Sequence, residues 1–167
     1  MSKAVIGVFR QETRAKEAIN DLKSQGFGDR EISLIAKDKR EEAADRGGDK
    51  GRGDNLTMAH QDLSTGVISG GALGGVAGIL AGAGALLIPG VGPIVAAGPL
   101  AAFLTGVVGG GIVGGLVDYG IPKERGRHFE NRVRQGDILV TLKVDDNDTH
   151  KVMSVLKRYG AEDVESH

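Results

Sequence analysis

The strongest constraint on this chain is a run of 55 residues, Leu63–Val117, that contains no Asp, Glu, Lys or Arg. The same run holds 17 of the 28 glycines in the sequence. Every charged residue lies outside it, although the net charge of −1 and the overall composition look ordinary. The chain therefore joins polar flanks, typical of a folding domain, to an uncharged and glycine-rich insert.

Small residues recur at every fourth position of the insert, in two series. On an α-helix this spacing forms a ridge without side chains, along which a second helix backbone can approach closely. Glycine inside a helix in water costs about 1 kcal/mol relative to alanine, so close packing or a non-aqueous setting must offset that cost. The predicted helix-packing and self-association residues are Gly66, Gly70, Gly74, Gly78, Gly82, Gly98, Ala102, Gly106, Gly110 and Gly114.

A cluster of prolines and glycines separates the two series. Because residues of this kind end a helix, the insert predicts an αα-hairpin with helices over Gly66–Ile88 and Leu100–Val117. Each helix is close to the roughly 20 residues that cross a bilayer. The predicted elbow between them consists of Pro89, Gly90, Gly92, Pro93 and Pro99.

The flank before the insert predicts a β-α-β unit. Ala4–Phe9 and Glu31–Ala36 are short apolar runs typical of strands. Between them, a helix is predicted from Glu12, with apolar residues at helical spacing and Gly26 as its C-terminal stop.

The flank after the insert repeats that order. A strand is predicted over Asp137–Val144, a helix over Thr149–Tyr159 with Asn147 or Asp148 as its N-cap, and a short strand over Glu162–Glu165. The repetition suggests an internal duplication.

Two such units in series predict the α+β class and the ferredoxin-like βαββαβ plan, with the glycine-zipper αα-hairpin inserted between strands 2 and 3. Because both flanks belong to one domain, they must lie on the same side of any membrane, which excludes a single span. The predicted segments are residues 1–37 (first β-α-β half), 38–62 (polar linker), 63–118 (uncharged hairpin), 119–136 (polar connecting helix) and 137–167 (second half).

The connecting helix carries an arginine cluster. These arginines can lie against acidic phospholipid headgroups, or form a solvated face paired with Glu124 and Glu130. They are Arg125, Arg127, Arg132 and Arg134.

The sequence contains no arrangement of acid, base and nucleophile, so we expect no enzyme. Gly109–Gly114 fits G-x-G-x-x-G, but no strand precedes it and no acidic ribose partner is evident, so no dinucleotide cofactor is predicted. The four histidines are scattered without the spacing of a zinc site, cysteine is absent, and neither flank has the positive excess of a nucleic-acid binder. We therefore expect no metal, no cofactor and no nucleic-acid partner.

Three segments carry a resemblance to a known family. They are Ala4–Phe9 with the helix after it, Ile88–Ala102 (IPGVGPIVAAGPLAA), and Gly120–Glu124 leading to Gly136–Val140. In these segments the chain resembles the bacterial general stress protein, or heat-induced stress protein, domain in the version with a glycine-zipper insert. The resemblance implies a stress-linked bacterial protein and supplies no catalytic residues.

The leading expectation is a non-enzymatic stress protein whose hairpin associates with the cytoplasmic membrane and promotes self-association, with its polar domain in the cytoplasm. The alternative is a soluble cytoplasmic assembly, such as a cage, tube or filament, that buries the hairpins between subunits. A third hypothesis, that the open face of the sheet senses a small molecule, depends on fold analogy. The expected partners are further copies of the chain and membrane lipid.

Overall fold

A computed structural model describes residues 1–37, 84–88, 91–106 and 111–167 of the chain. These residues form an α+β structure, the class that the sequence predicts. The elements in chain order are β1 (Ser2–Phe9), α1 (Glu12–Ser24), β2 (Ile32–Lys37), β3 (Gly84–Ile88), β4 (Gly92–Ala97), α2 (Pro99–Gly106), α3 (Gly111–Asp118), α4 (Lys123–Arg134), β5 (Ile138–Asp145), α5 (Asp146–Arg158) and β6 (Glu162–Ser166).

The strands form one antiparallel sheet in the order β3-β4-β2-β5-β1-β6. Strand β5 lies between β1 and β2, and β1 in turn lies between β5 and β6. The pairing of β1 with β5 runs without a break from Ser2 opposite Asp145 to Phe9 opposite Ile138. Each flank therefore supplies a strand that the other flank needs, and neither can complete its sheet alone.

Helices cover both faces of the sheet. Because side chains alternate along each strand, neighbouring residues of one strand belong to different cores. In β1, Val5 and Phe9 belong to the core beneath α1 and α5, whereas Ala4, Ile6 and Val8 belong to the core beneath α2, α3 and α4. A strand buried on both faces reads as a continuous apolar run, as β1 does.

The flanking elements lie close to their predicted positions, but the predicted caps of the last helix are wrong. Helix α5 begins at Asp146 with Asp145 as its N-cap residue, so neither Asn147 nor Asp148 caps it. The Thr149 hydroxyl donates a hydrogen bond of 3.2 Å to the carbonyl oxygen of Asp145. The acidic residues in the first turn favour this earlier start, since they lie near the positive end of the helix dipole.

The predicted αα-hairpin is wrong where the structure describes the insert. Residues 84–88 form β3, which pairs with β4 in the register Gly84 opposite Ala96 to Ile88 opposite Gly92. Of the predicted elbow, Gly92 and Pro93 belong to β4 and Pro99 begins α2, while Pro89 and Gly90 lie outside the described residues. The elbow region is therefore a β-hairpin added to the sheet beside β2.

The second predicted helix, Leu100–Val117, is also divided. It comprises α2 and α3, with residues 107–110 between them outside the described part of the chain. In one straight helix Leu104 and Gly115 would be about 16 Å apart along the axis, yet here they are in contact. Within the described ranges, no helix has the length and apolar character needed to cross a membrane.

Candidate functional site

The contact between α2 and α3 depends on Gly115, which the sequence analysis did not select. A Cβ atom added at Gly115 would lie 2.6 Å from Cδ2 and 3.2 Å from Cγ of Leu104. The missing side chain therefore allows the two helices to pack closely. The sequence does contain a pattern that could have identified Gly115. Gly111 and Gly115 are four residues apart, one position beyond the predicted series that includes Gly110 and Gly114.

Part of the predicted packing series reaches this helix pair. Gly98 directly precedes α2, Ala102 and Gly106 belong to α2, and Gly114 belongs to α3. Their role in self-association stays a prediction. The remaining predicted residues lie outside the described part of the chain, as does the predicted linker 38–62; they are Gly66, Gly70, Gly74, Gly78, Gly82 and Gly110.

Helix α4 also approaches α3 through a glycine. The buried Gly126 of α4 faces Val113, and an added Cβ would lie 3.4 Å from Val113 Cγ1. Deeper in the same core, Phe129 and Val133 of α4 are fully buried. These two side chains therefore pack on the insert and the sheet.

Gly98 forms the corner between β4 and α2. Its φ is +83°, and a Cβ there would lie 2.1 Å from the carbonyl oxygen of Ile32 on β2. Beyond the corner, the Leu100 N–H donates a buried hydrogen bond of 3.0 Å to Ser33 Oγ. Gly98 thus supports the attachment of α2 to the sheet, a role that the four-residue spacing did not predict.

Three hydroxyl groups meet inside the core beneath α2 and α3. Ser33 on β2 lies directly opposite Thr141 on β5, and both residues are fully buried. Burial raises the pKa of the nearby Tyr119. Within the described part of the chain, neither the Tyr119 hydroxyl nor the Thr141 hydroxyl has a hydrogen-bond partner.

Two large apolar side chains are exposed on α2 and α3, whereas the charged Asp118 is exposed at the end of α3. Phe103 is 36% exposed and Val117 is 42% exposed. Phe103 also packs edge-on against Tyr119, with 5.8 Å between the ring centroids. The Lys143 ammonium lies 5.5 Å from the centroid of the Tyr119 ring. We call Phe103 and Val117 the apolar pair.

A charged seam joins α4 to β6. Arg132 Nη2 donates a 2.8 Å hydrogen bond to Glu162, His128 lies 2.8 Å from Asp163, and Arg125 Nε donates a 2.9 Å hydrogen bond to Glu165. Arg132 is the most enclosed of these cations, at 15% exposure, and its Nε also lies 2.7 Å from Asp137 Oδ2. The seam is defined by Arg125, His128, Arg132, Asp137, Glu162, Asp163 and Glu165.

A β-bulge aims the acidic side chains of β6 at α4. Ile6 pairs with Glu165 and Val8 with Glu162, so two residues of β6 oppose Gly7 alone. Asp163, within the bulge, has φ of +50°. The irregularity allows consecutive acidic residues to contact the same helix, while Val164 packs against the opposite core.

The seam lowers the pKa values of its carboxyl groups. The hydrogen bond from Arg132 lowers the pKa of Glu162, and the hydrogen bond with His128 lowers that of Asp163. Burial raises the pKa of Glu165, but hydrogen bonds from Arg125 and His167 outweigh that effect and leave the pKa lowered. All three carboxylates are therefore stabilised in their charged form.

The predicted arginine cluster is largely paired within the chain. Arg125 and Arg132 contact β6, and Arg134 donates a 3.2 Å hydrogen bond to Glu130, as one of the two alternatives predicts. In the ranges that the structure describes, no group of three or more histidine or acidic side chains is arranged to hold a metal ion. The seam therefore holds α4 against β6 through ion pairs and hydrogen bonds.

The chain matches a family of known proteins. Residues 4–86, about half of the chain, match the family described as the heat induced stress protein YflT domain. That range contains Ala4–Phe9 and the helix after it, whereas the other segments that carry the resemblance lie beyond it. No curated protein and no solved structure matches the chain. The family match confirms the resemblance to the heat-induced stress proteins that the sequence predicts.

Proposed function

We propose that this chain is a non-enzymatic stress-response protein that acts by self-association through its glycine-rich insert. The match to the heat induced stress protein YflT domain supports the stress-response role. The proposed partner is a further copy of the chain, and the proposed location is the cytoplasm.

The apolar pair carries the proposal for self-association. Phe103 and Val117 are large, exposed side chains on helices that contact each other, in a run without a single charge. The outer face of a surface helix normally carries charged or polar residues, and a helix that is apolar all round is normally buried. A second copy that covers α2 and α3 would remove this exposed apolar surface from water.

The proposed architecture is the ferredoxin-like plan with an insertion. Its support is the order β2-β5-β1-β6, in which each β-α-β unit is split by a strand of the other, with α1 and α5 on one face. On this proposal, residues 38–136 are an insertion that extends the sheet by β3 and β4 and covers its second face.

Sedimentation velocity without detergent tests the proposed function. Phe103→Glu and Val117→Glu place a charge at the exposed positions, and we expect both to reduce the wild-type assembly to smaller species. Asn131→Glu is the matched control, because it adds the same charge to an exposed position on α4. A wild-type protein that is monomeric at every concentration would overturn the proposal.

Association with the cytoplasmic membrane is the second candidate, favoured by the 55-residue run without charge. Flotation of the wild-type protein with anionic vesicles tests it. If the protein floats and Phe103→Glu does not, lipid is the partner of the apolar pair. If wild-type protein assembles but stays at the bottom of the gradient, self-association is the better account.

A further inference from the structure

The two edges of the sheet differ in how they resist pairing with another strand. One edge is β6, which carries three acidic residues and a β-bulge and is fastened to α4 by the seam. Two copies of β6 side by side would oppose like charges across a distorted strand. Natural sheets block edge-to-edge pairing by these means, so β6 is a protected edge.

The other edge, within the described part of the chain, is β3. Its sequence, GALLI, contains no charge and no proline, and it pairs with β4 over five consecutive residues without a bulge. The outer side of such a strand presents backbone N–H and C=O groups in a regular row. Within the described ranges, strand β3 therefore has none of the protective features of β6.

Resting on the proposed self-association, we propose that two copies of this chain first join through antiparallel pairing of β3 with β3. A two-fold axis at Leu86 gives a self-complementary register, with Gly84 opposite Ile88 and Ala85 opposite Leu87. Because the interface uses one surface on both copies, it closes at a dimer. The six described strands of each copy then form one continuous sheet of twelve strands.

The chemistry of β3 favours a second copy over an unrelated strand. An uncharged edge offers no charge complementarity by which a polar partner would be selected. Its five-residue length matches itself in full, and every backbone group on the outer side finds a partner in this register. The apolar pair lies on different elements and remains available for larger assembly.

Hydrogen–deuterium exchange of the full wild-type chain at two concentrations tests the pairing without a mutation. The outward amides of residues 84–88 should exchange at least about ten-fold more slowly when the protein is mostly dimeric than when it is dilute. Helix α5 packs on β1 and β6, at the edge of the sheet farthest from β3. Exchange of its amides should not depend on protein concentration.

A second experiment tests the pairing by placing a charge in β3. Leu86→Lys should abolish the dimer in sedimentation experiments, whereas Asn131→Lys, exposed on α4, should leave it intact. If Leu86→Lys does not fold, as judged by circular dichroism, the exchange experiment on the wild-type protein decides alone.

The outcomes separate this inference from the proposed function. If the wild-type protein assembles while exchange at residues 84–88 is independent of concentration, pairing through β3 is wrong and self-association stands. A protein that never assembles overturns both. A dimer with slowed exchange at β3 and normal size in Phe103→Glu supports the pairing and leaves the apolar pair without its proposed role.

Discussion

The backbone of Gly98 lies against that of Ile32 so closely that a Cβ atom on Gly98 would stand 2.1 Å from the Ile32 carbonyl oxygen. The same position has a φ of +83°, which side chains disfavour. Two independent restrictions therefore apply at the point where the insert leaves β4 and turns into α2.

We predict that Gly98→Ala lowers the free energy of unfolding by more than about 3 kcal/mol, because left-handed strain and backbone overlap add together. Urea denaturation measures the change. Gly136→Ala is the matched control: its φ is +100°, but an added Cβ meets nothing within 4 Å in the described part of the chain. We expect it to lose only about 1–2 kcal/mol, and equal losses in both variants would contradict the close approach.

The contact between Gly115 and Leu104 gives a coupled prediction. Gly115→Ala should destabilise the protein by about 1 kcal/mol despite the higher helix propensity of alanine, since the added methyl meets Leu104 Cδ2. Leu104→Val shortens the opposing side chain, so the double variant should be more stable than the sum of the two single changes predicts. Strict additivity in denaturation experiments would show that the helices do not meet there.

The seam should make the protein sensitive to acid. Lowered pKa values at Glu162, Asp163 and Glu165 mean that their contribution to stability is complete above the unfolded-state values of about 4. It is lost as the pH falls through the lower folded-state values. Urea midpoints measured from neutral to strongly acidic pH should therefore decline, and the decline should be shallower in Glu162→Gln. Glu12→Gln, in an ion pair within α1, should keep the wild-type slope.

Arg132 should matter more than its neighbour Arg134. Arg132 is 15% exposed and lies within 3.5 Å of three carboxylates, of which Asp137 is only 16% exposed. Arg132→Leu leaves that charge poorly solvated and should cost about 2 kcal/mol. Arg134 pairs only within α4 among the described contacts and is 47% exposed, so Arg134→Leu should change stability by less than about 0.5 kcal/mol. Equal effects of the two changes in thermal or urea denaturation would refute a special role for Arg132.

Removing the Tyr119 hydroxyl should not harm the protein. An unpaired buried hydroxyl costs free energy, so Tyr119→Phe should leave the stability unchanged or raise it by up to about 1 kcal/mol. Ser33→Ala should instead lose about 1 kcal/mol, because the Leu100 N–H loses its acceptor. A clear loss in Tyr119→Phe would reveal a partner for the hydroxyl.

The elements of the flanks were predictable because their patterns are unambiguous. In α1, Ala15, Ala18, Ile19 and Leu22 follow helical spacing, and all four are buried. The insert lacks such a pattern: Ile94, Val95 and Ala96 are consecutive and all buried, in a strand that lies between β3 and β2. A short apolar run of this kind fits a strand or a helix equally well, so periodicity could not identify the β-hairpin.

The sequence allowed us to predict which residues of α4 are charged, but not which acidic residues they contact. The arginines of α4 were recognised, yet Arg125 contacts Glu165, 40 residues further along the chain. That contact requires β6 to lie at the edge of the sheet next to α4, which only the tertiary structure determines. Likewise, four-residue spacing identified glycines suited to close packing, but the choice of Gly115 over Gly114 depends on which way α3 faces Leu104.

The position of β5 between β1 and β2 sets an order of events during synthesis. A ribosome completes β1, α1 and β2, and then the whole uncharged segment, before it reaches the strand that joins the first two together. Until β5 emerges, the uncharged segment cannot pack on a complete sheet. Its apolar side chains are then exposed to contacts with other chains. The nascent chain is therefore most prone to aggregate before β5 emerges.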